Sequence, residues 1–282
     1  AAQRRSAPRA DQARAAGEPD AGLPGGGAPA GPAGARGRGP QAPSLGDRGP
    51  ARCPMPAKLS VNINKYALLR NSRGHNTPDL LIAADTVIAA GAHGVTVHPR
   101  LDQRHVRLDD LAPLAAHLAA HHPHIELVPV RPGEVTSDHG WDLPADAALL
   151  AGPARRLRDN GVRVSVFMDC DASTEALRAA RDLGVDRIEL YTGPYAWAWG
   201  GPDQTTETAK IYDIAARAAA VGLGLNAGHD LDRHNLAGLS GLRTLDEVSI
   251  GHAQIVRALD VGTTRSVHEL LAALGWRRPS FN

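Results

Sequence analysis

Four short runs carry the residue types best suited to chemistry: Thr96-Val97-His98-Pro99-Arg100, Glu189-Leu190-Tyr191-Thr192, Asn226-Ala227-Gly228-His229-Asp230 and Ser249-Ile250-Gly251-His252. Each sets a titratable side chain at or just past the end of an aliphatic run. Imidazoles change charge near neutrality, so His98 and His229 suit the removal and return of protons at a reacting centre. Gly228 and the Gly251-His252 step let a backbone approach a ligand closely and turn N–H groups toward an anion such as a phosphate; the plainer reading is that these glycines only permit tight turns. Arg73, in the run Leu69-Arg70-Asn71-Ser72-Arg73-Gly74, and Arg100 add guanidiniums of a geometry that holds phosphate with two hydrogen bonds. On the simpler reading the Arg73 run is a solvated loop after the first strand. A metal-dependent chemistry is also open, with Asp169 and Asp171 joining His98 and His229 as ligands in an isomerase or hydrolase, although no HxH or HExxH pairing supports it.

These residues need a frame that brings distant strand ends together. From Met55 onward short β-branched runs at 59–63, 94–98, 125–130, 162–168, 187–191, 224–226 and 247–250 alternate with helical stretches at 78–90, 108–121, 145–160, 174–183, 205–221 and 267–274. Ser, Thr or Asp precedes several of the helices, and Gly161, Gly184 and Gly222 stand where helices should stop. This is the cadence of parallel βα units, and no glycine-rich dinucleotide fingerprint follows the first strand. The fold class expected is therefore α/β, a (β/α)8 TIM barrel with seven strand signals where a closed barrel has eight. In such a barrel the loops at the C-terminal ends of the strands converge on one mouth, where the chemistry sits.

Composition excludes several other classes. The 282 residues hold 31 Lys and Arg against 30 Asp and Glu, so no strongly basic surface for nucleic acid is expected and a small-molecule partner is favoured. Cys53 and Cys170 cannot build a disulfide framework or a zinc site, and the cytoplasm is the compartment expected. No apolar run is long enough to cross a bilayer. Residues 1–54 are different in kind: about three quarters are Ala, Gly, Pro or Arg, with Leu23 and Leu45 the large aliphatic residues. Such a segment buries too little apolar surface to offset its chain entropy, and it is expected to be disordered, leaving 55–282 as the catalytic domain. Translation from Met55 would omit it altogether.

The runs LSVNINKYALLRNSRG, GVTVHPRLDQRH, LVPVRPGEVTSDHGWDLP, GVRVSVFMD, DRIELYTGPYA, LNAGHDLDRHNL and EVSIGHA, in this order from Leu59 to Ala253, resemble pyridoxine 5′-phosphate synthases. The resemblance implies a TIM barrel, often octameric, that needs no metal or organic cofactor. It also implies closure of the pyridine ring of vitamin B6 from 3-amino-2-oxopropyl phosphate and 1-deoxy-D-xylulose 5-phosphate, with release of phosphate and water. Carried over by position, His98 matches a histidine base, His229 a histidine acid, and Glu189 a carboxylate that stabilises charge in the transition state. Asn62, Arg73, Gly251 and His252 match contacts to the amino-ketone phosphate; Arg100, His105 and Thr136 match contacts to the deoxyxylulose phosphate. Asn64 and Lys65 occupy the positions of an Asp-His pair in other members and are expected to touch substrate, as is Asp230, which stands where many relatives have glycine.

One departure from the family pattern is large. The third strand of the family ends in an Asn-x-Glu run whose glutamate is a second base, whereas here Ile125-Glu126 passes directly into Leu127-Val128-Pro129, so that about 25 residues are absent. Glu126 either precedes the lost run or stands in for that base. Losing a βα unit leaves strand edges unpaired. Two outcomes follow: an active synthase with a rearranged third segment, or a catalytically impaired relative that binds phosphates without turning over.

Overall fold

A computed structural model describes residues 56–98, 102–118, 124–128 and 138–276. Residues 1–54, whose composition suggests disorder, lie outside the described residues, as do Arg100 and Thr136.

Side chains alternate between the two faces of the sheet, with one register shift between Leu225 and Asn226. In β4 (Arg163–Asp169), Val164, Val166 and Met168 face one way and Ser165 and Phe167 the other; in β5 (Arg187–Tyr191), Ile188 and Leu190 oppose Arg187 and Glu189. The same holds for Leu59 and Val61 against Ser60 and Asn62 in β1 (Lys58–Asn62), and for Val248 and Ile250 against Ser249 in β7 (Leu245–Ile250). Together with β2 (Gly94–Thr96), β3 (His124–Leu127) and β6 (Gly224–Gly228) they form one parallel sheet ordered β2-β1-β7-β6-β5-β4-β3. Register places Phe167 beside Glu189, Glu189 beside Asn226 and Gly228 beside Ser249, so the polar residues share one face. The aliphatic residues join one core with Leu80, Ala84 and Val87, Leu177 and Ala180, Ile211 and Ile214, and Val267 and Leu270 of the surrounding helices. Burying a side chain of this size is worth about 1.5–3 kcal/mol, which is what binds each helix to the sheet.

The architecture is a TIM-type α/β barrel with one strand position open. β1 joins β2 to β7, as closure requires. Among the described residues, however, the sheet ends at β2 on one side and β3 on the other. β3 runs straight across the Glu126–Leu127 junction, pairing Glu126 with Ser165 and Leu127 with Val166. Among the described residues β3 is thus a neighbour for β4 and no strand lies between β3 and β2, so the seven strand signals correspond to the seven described strands.

Local chemistry sets the helix boundaries. The Asp79 carboxylate accepts the Leu81 N–H at 2.8 Å to start α2 (Leu80–Ala89), and Ser173 Oγ accepts the Ala176 N–H at 3.0 Å to start α5 (Thr174–Asp182). Gly161, Gly184 and Gly222 take left-handed φ of 74°, 73° and 82° after α4 (Ala147–Asp159), α5 and α7 (Gln204–Ala220), as helix-terminating glycines do. One expectation is corrected. The Arg73 run is only partly a loop: residues Asn64–Asn71 form helix α1, which buries Tyr66, Ala67 and Arg70. The buried Arg70 guanidinium makes two 2.7 Å bonds to the Asp110 carboxylate of α3 (Leu108–His117). Three helices lay outside the sequence expectation: α1, the short α6 (Gly193–Ala198) and α8 (His252–Val261), which precedes α9 (Thr263–Ala273).

Candidate active site

The polar face of the sheet opens at its C-terminal end into a cavity of about 480 Å³, within the range of small-molecule sites. Asn62 from β1 and Asn64 and Lys65 from α1 line one side, and His98 and His105, both following β2, continue the wall. Phe167, Glu189, His229, Asp230 and Ser249 come from the ends of β4 to β7, and Gly251, His252 and Ala253 from the start of α8. His98, His229 and Gly251, more than 150 positions apart at the extremes, therefore open on one space.

Each wall has a local cause. The Asn62 side-chain oxygen accepts the Asn64 N–H at 2.9 Å, starting α1 directly beneath the cavity, and Asn64 Oδ1 accepts the His98 N–H at 3.0 Å, joining the end of β2 to it. His105 is buried, and its carbonyl accepts from Asn71 Nδ2 at 2.7 Å. Glu189 is 4% exposed. The space its carboxylate occupies exists because Gly228 has no side chain: a Cβ there would lie 2.1 Å from Glu189 Oε1. Gly228 thus makes room for a neighbouring acid, a reason different from close approach to a ligand. Gly251 is similarly constrained, since a Cβ would stand 3.0 Å from the Asn62 backbone oxygen. Its φ is −120°, so space and not left-handedness selects glycine.

His229 and Asp230 turn the chain away from β6 with φ of 81° and 56°, values that residues bearing a Cβ seldom adopt. The Thr192 hydroxyl lies 2.6 Å from the Gly228 carbonyl and 2.7 Å from that of His229, and donates to this pair. The His229 ring stands 5.8 Å from Phe167 and meets Tyr191 edge-on at 5.4 Å. Burial, with the charges of Asp230, Asp138 and Asp169, pushes the Tyr191 phenol up to about 12. It stays neutral beside the His229 ring.

The arrangement can move protons and hold anions. His98, His229 and Glu189 are titratable groups on three separate walls, and the first N–H groups of α8 point from the Gly251 end, a site that favours negative charge. Of the residues expected from sequence, Arg73 is exposed beyond α1 and does not line the cavity. Arg100, Thr136 and the Glu126 side chain fall outside the described residues. The metal alternative loses its ligand set: Asp169 and Asp171 do not line this cavity, and among the described residues no group of three or more His, Cys, Asp or Glu is arranged to hold a metal. Asp169 instead accepts the Gly140 N–H at 3.0 Å, pinning the Asp138-His139-Gly140-Trp141 run against β4, with burial holding its carboxyl above the ordinary value. Sequence reasoning missed Phe167, Val128, Leu231 and Asp232 as lining residues. For Phe167 a signal existed: it is the bulky residue out of phase with Val164, Val166 and Met168.

The family model described as pyridoxal phosphate biosynthesis protein PdxJ matches residues 59–126 and 116–275. Residues 116–126 are matched twice, so one stretch of chain answers to two parts of the family pattern. Proteins named pyridoxine 5′-phosphate synthase align along nearly their whole length. The one from Albidiferax ferrireducens is 41% identical over 253 residues, covering 79% of this chain and all of its own. That from Xanthomonas campestris pv. campestris is 44% identical over 250, covering 78% and 97%, and that from Mesorhizobium japonicum 43% over 248, covering 79% and 100%. Since 79% of 282 residues is about 223, about 30 of the 253 positions in the first alignment face no residue here, in keeping with one absent βα unit. Among solved structures, tryptophan synthase from M. tuberculosis superposes with a TM-score of 0.52 at 15% identity over 78% of this chain and 92% of its own. The 3-keto-L-gulonate-6-phosphate decarboxylase from Vibrio cholerae does so with 0.53 at 13%, over 80% and 100%. At these identities the likeness is one of fold.

Proposed function

This chain belongs to the pyridoxal phosphate biosynthesis protein PdxJ family, and on that premise we propose that it is a pyridoxine 5′-phosphate synthase. It joins 3-amino-2-oxopropyl phosphate to 1-deoxy-D-xylulose 5-phosphate, giving pyridoxine 5′-phosphate, phosphate and water. One observation carries this reading: His98, Glu189 and His229 share a single cavity with Asn62, Asn64, Lys65, Gly251 and His252.

The chemistry asks for those residues. Imine formation between the amine and the deoxyxylulose ketone expels water, so an acid must protonate the departing oxygen; enolisation then requires a base beside the carbonyl. Ring closure and aromatisation expel phosphate and further water, again with protons moved both ways. His98 acts as the base and His229 as the acid, while the buried Glu189 stabilises the cationic nitrogen that forms between them. The Asn62 side chain and the N–H groups at Gly251 and His252 hold the amino-ketone phosphate against the positive end of α8. His105, with Arg100 and Thr136, takes the deoxyxylulose phosphate, and Asn64, Lys65 and Asp230 fix the hydroxyl-bearing carbons between the two anchors. Arg73 reaches the first phosphate only if the turn after α1 folds inward on binding. Glu126 is the residue left to serve as the second base. The enzyme works in the cytoplasm as a homo-oligomer, without metal or organic cofactor.

Purified protein incubated with both substrates should yield pyridoxine 5′-phosphate by mass spectrometry. No product, with both phosphoesters still raising the melting temperature, would identify an impaired phosphate-binding relative instead. Activity that required stoichiometric metal would overturn the acid–base assignment.

A further inference from the structure

We propose that Trp197, through Asp230, is a positioning residue for the His229 imidazole. The inference rests on the reading of His229 as the acid. Trp197 lies on α6, after β5, and its indole N–H donates to Asp230 Oδ2 at 3.0 Å across the cavity rim from the end of β6. Asp230 directly follows His229, and both residues hold left-handed φ, so the turn that aims the imidazole is one the backbone does not favour by itself. Its carbonyls are restrained from elsewhere: Thr192 Oγ1 donates to the pair of carbonyls of Gly228 and His229, and Asn235 Nδ2 donates to that of Asp230 at 3.0 Å. The Trp197 bond restrains the side chain. The same indole meets Tyr191 edge-on at 6.3 Å, and Tyr191 in turn meets the His229 ring edge-on at 5.4 Å. Trp197 therefore reaches His229 by two routes, one through the backbone of the turn and one through a row of rings. The bond also occupies one oxygen of a carboxylate that lines a cavity meant for two anionic substrates.

Trp197 is 69% exposed, so Trp197→Phe removes the N–H without opening a hole in the core. In the full chain this variant should lower kcat roughly 5- to 10-fold, the loss of one hydrogen bond to a charged group, with the KM of both substrates within about twofold. Asp230→Ala should lower kcat by at least as much, and because Asp230 also lines the cavity its KM is expected to rise as well; Asp230→Asn should recover most of the kcat loss, because the amide oxygen still accepts the indole N–H and asparagine tolerates left-handed φ. The Trp197→Phe/Asp230→Ala double variant should be no slower than the slower single variant. Additive losses in kcat, an Asp230→Asn variant as slow as Asp230→Ala, or a Trp197→Phe variant whose KM rises at unchanged kcat would each overturn the proposal. If the wild-type chain makes no pyridoxine 5′-phosphate, the proposed reaction fails, and the pair is judged by NMR: Asp230→Ala should move both the Trp197 indole N–H and the His229 ring resonances. His229 resonances that stay in place would refute the positioning role.

Discussion

Replacing Gly228 with alanine tests how tightly the barrel fixes its buried acid. A Cβ at this position would stand 2.1 Å from Glu189 Oε1 and 3.1 Å from its Cδ, where ordinary contact begins at 3.4 Å. The carboxylate must therefore retreat by roughly 1 Å or more. The Ser249 carbonyl, 3.5 Å from the other side of the new methyl, keeps the methyl from giving way, so it is the carboxylate that is driven from its place toward the cavity it lines. Overpacking of this kind costs about 1–3 kcal/mol of stability. The catalytic cost should be larger in proportion, since a group displaced by about 1 Å from its working position loses on the order of 100-fold in rate, or about 2.7 kcal/mol of barrier. The assay is kcat and KM for both substrates alongside thermal unfolding, for Gly228→Ala, Glu189→Ala and the double variant. Because Glu189→Ala removes the atoms the new methyl strikes, the stability lost by Gly228→Ala should largely vanish in that background. A Gly228→Ala enzyme within twofold of wild-type kcat, or a stability loss that persists without the Glu189 carboxylate, would refute the reasoning.

Three further outcomes follow from the geometry. Thr192→Val keeps the shape of a fully buried side chain but leaves the carbonyls of Gly228 and His229 without their hydroxyl donor, and should cost about 1–3 kcal/mol in chemical denaturation. Asp110→Ala strands the Arg70 guanidinium, whose side chain is 5% exposed; since Asp110 is itself partly open to solvent, the loss should be about 2–4 kcal/mol, read as a melting temperature lower by about 5–15 °C. The Arg257 guanidinium, with Arg265, holds the Glu269 carboxyl down to about 2 despite partial burial. A carboxylate depressed on folding stabilises above its unfolded value of 4.5 and loses that contribution as pH falls toward 2. Wild type should thus melt above Glu269→Gln by a constant margin at pH 5 to 7, shrinking to nothing near pH 2; a margin independent of pH would exclude the ion pair as its source.

The spacing of aliphatic runs and of glycines was enough to determine the parallel α/β fold, the seven strands among the described residues and the terminations at Gly161, Gly184 and Gly222, because period-two burial and left-handed helix ends are local requirements of the backbone. The same local logic located His98, Glu189, His229 and Gly251 at strand ends. Tertiary structure decided the rest. Helix α1 could not be read from its own residues, since the buried face that stabilises it is matched to Asp110 of α3 and to the core, not to a period of its own. Gly228 looked like a place for a ligand and is a place for Glu189, a fact set by the register between β5 and β6. Arg73 and Arg70 are equivalent in sequence, yet one is exposed and the other is committed to an ion pair. The Trp197–Asp230 bond joins helix α6 to the turn after β6, 33 positions apart, which meet only because adjacent parallel strands end on the same side. Which residues point outward along one chain is fixed by nearest neighbours; which of them meet is fixed by how the strands pair, and that depends on every strand at once.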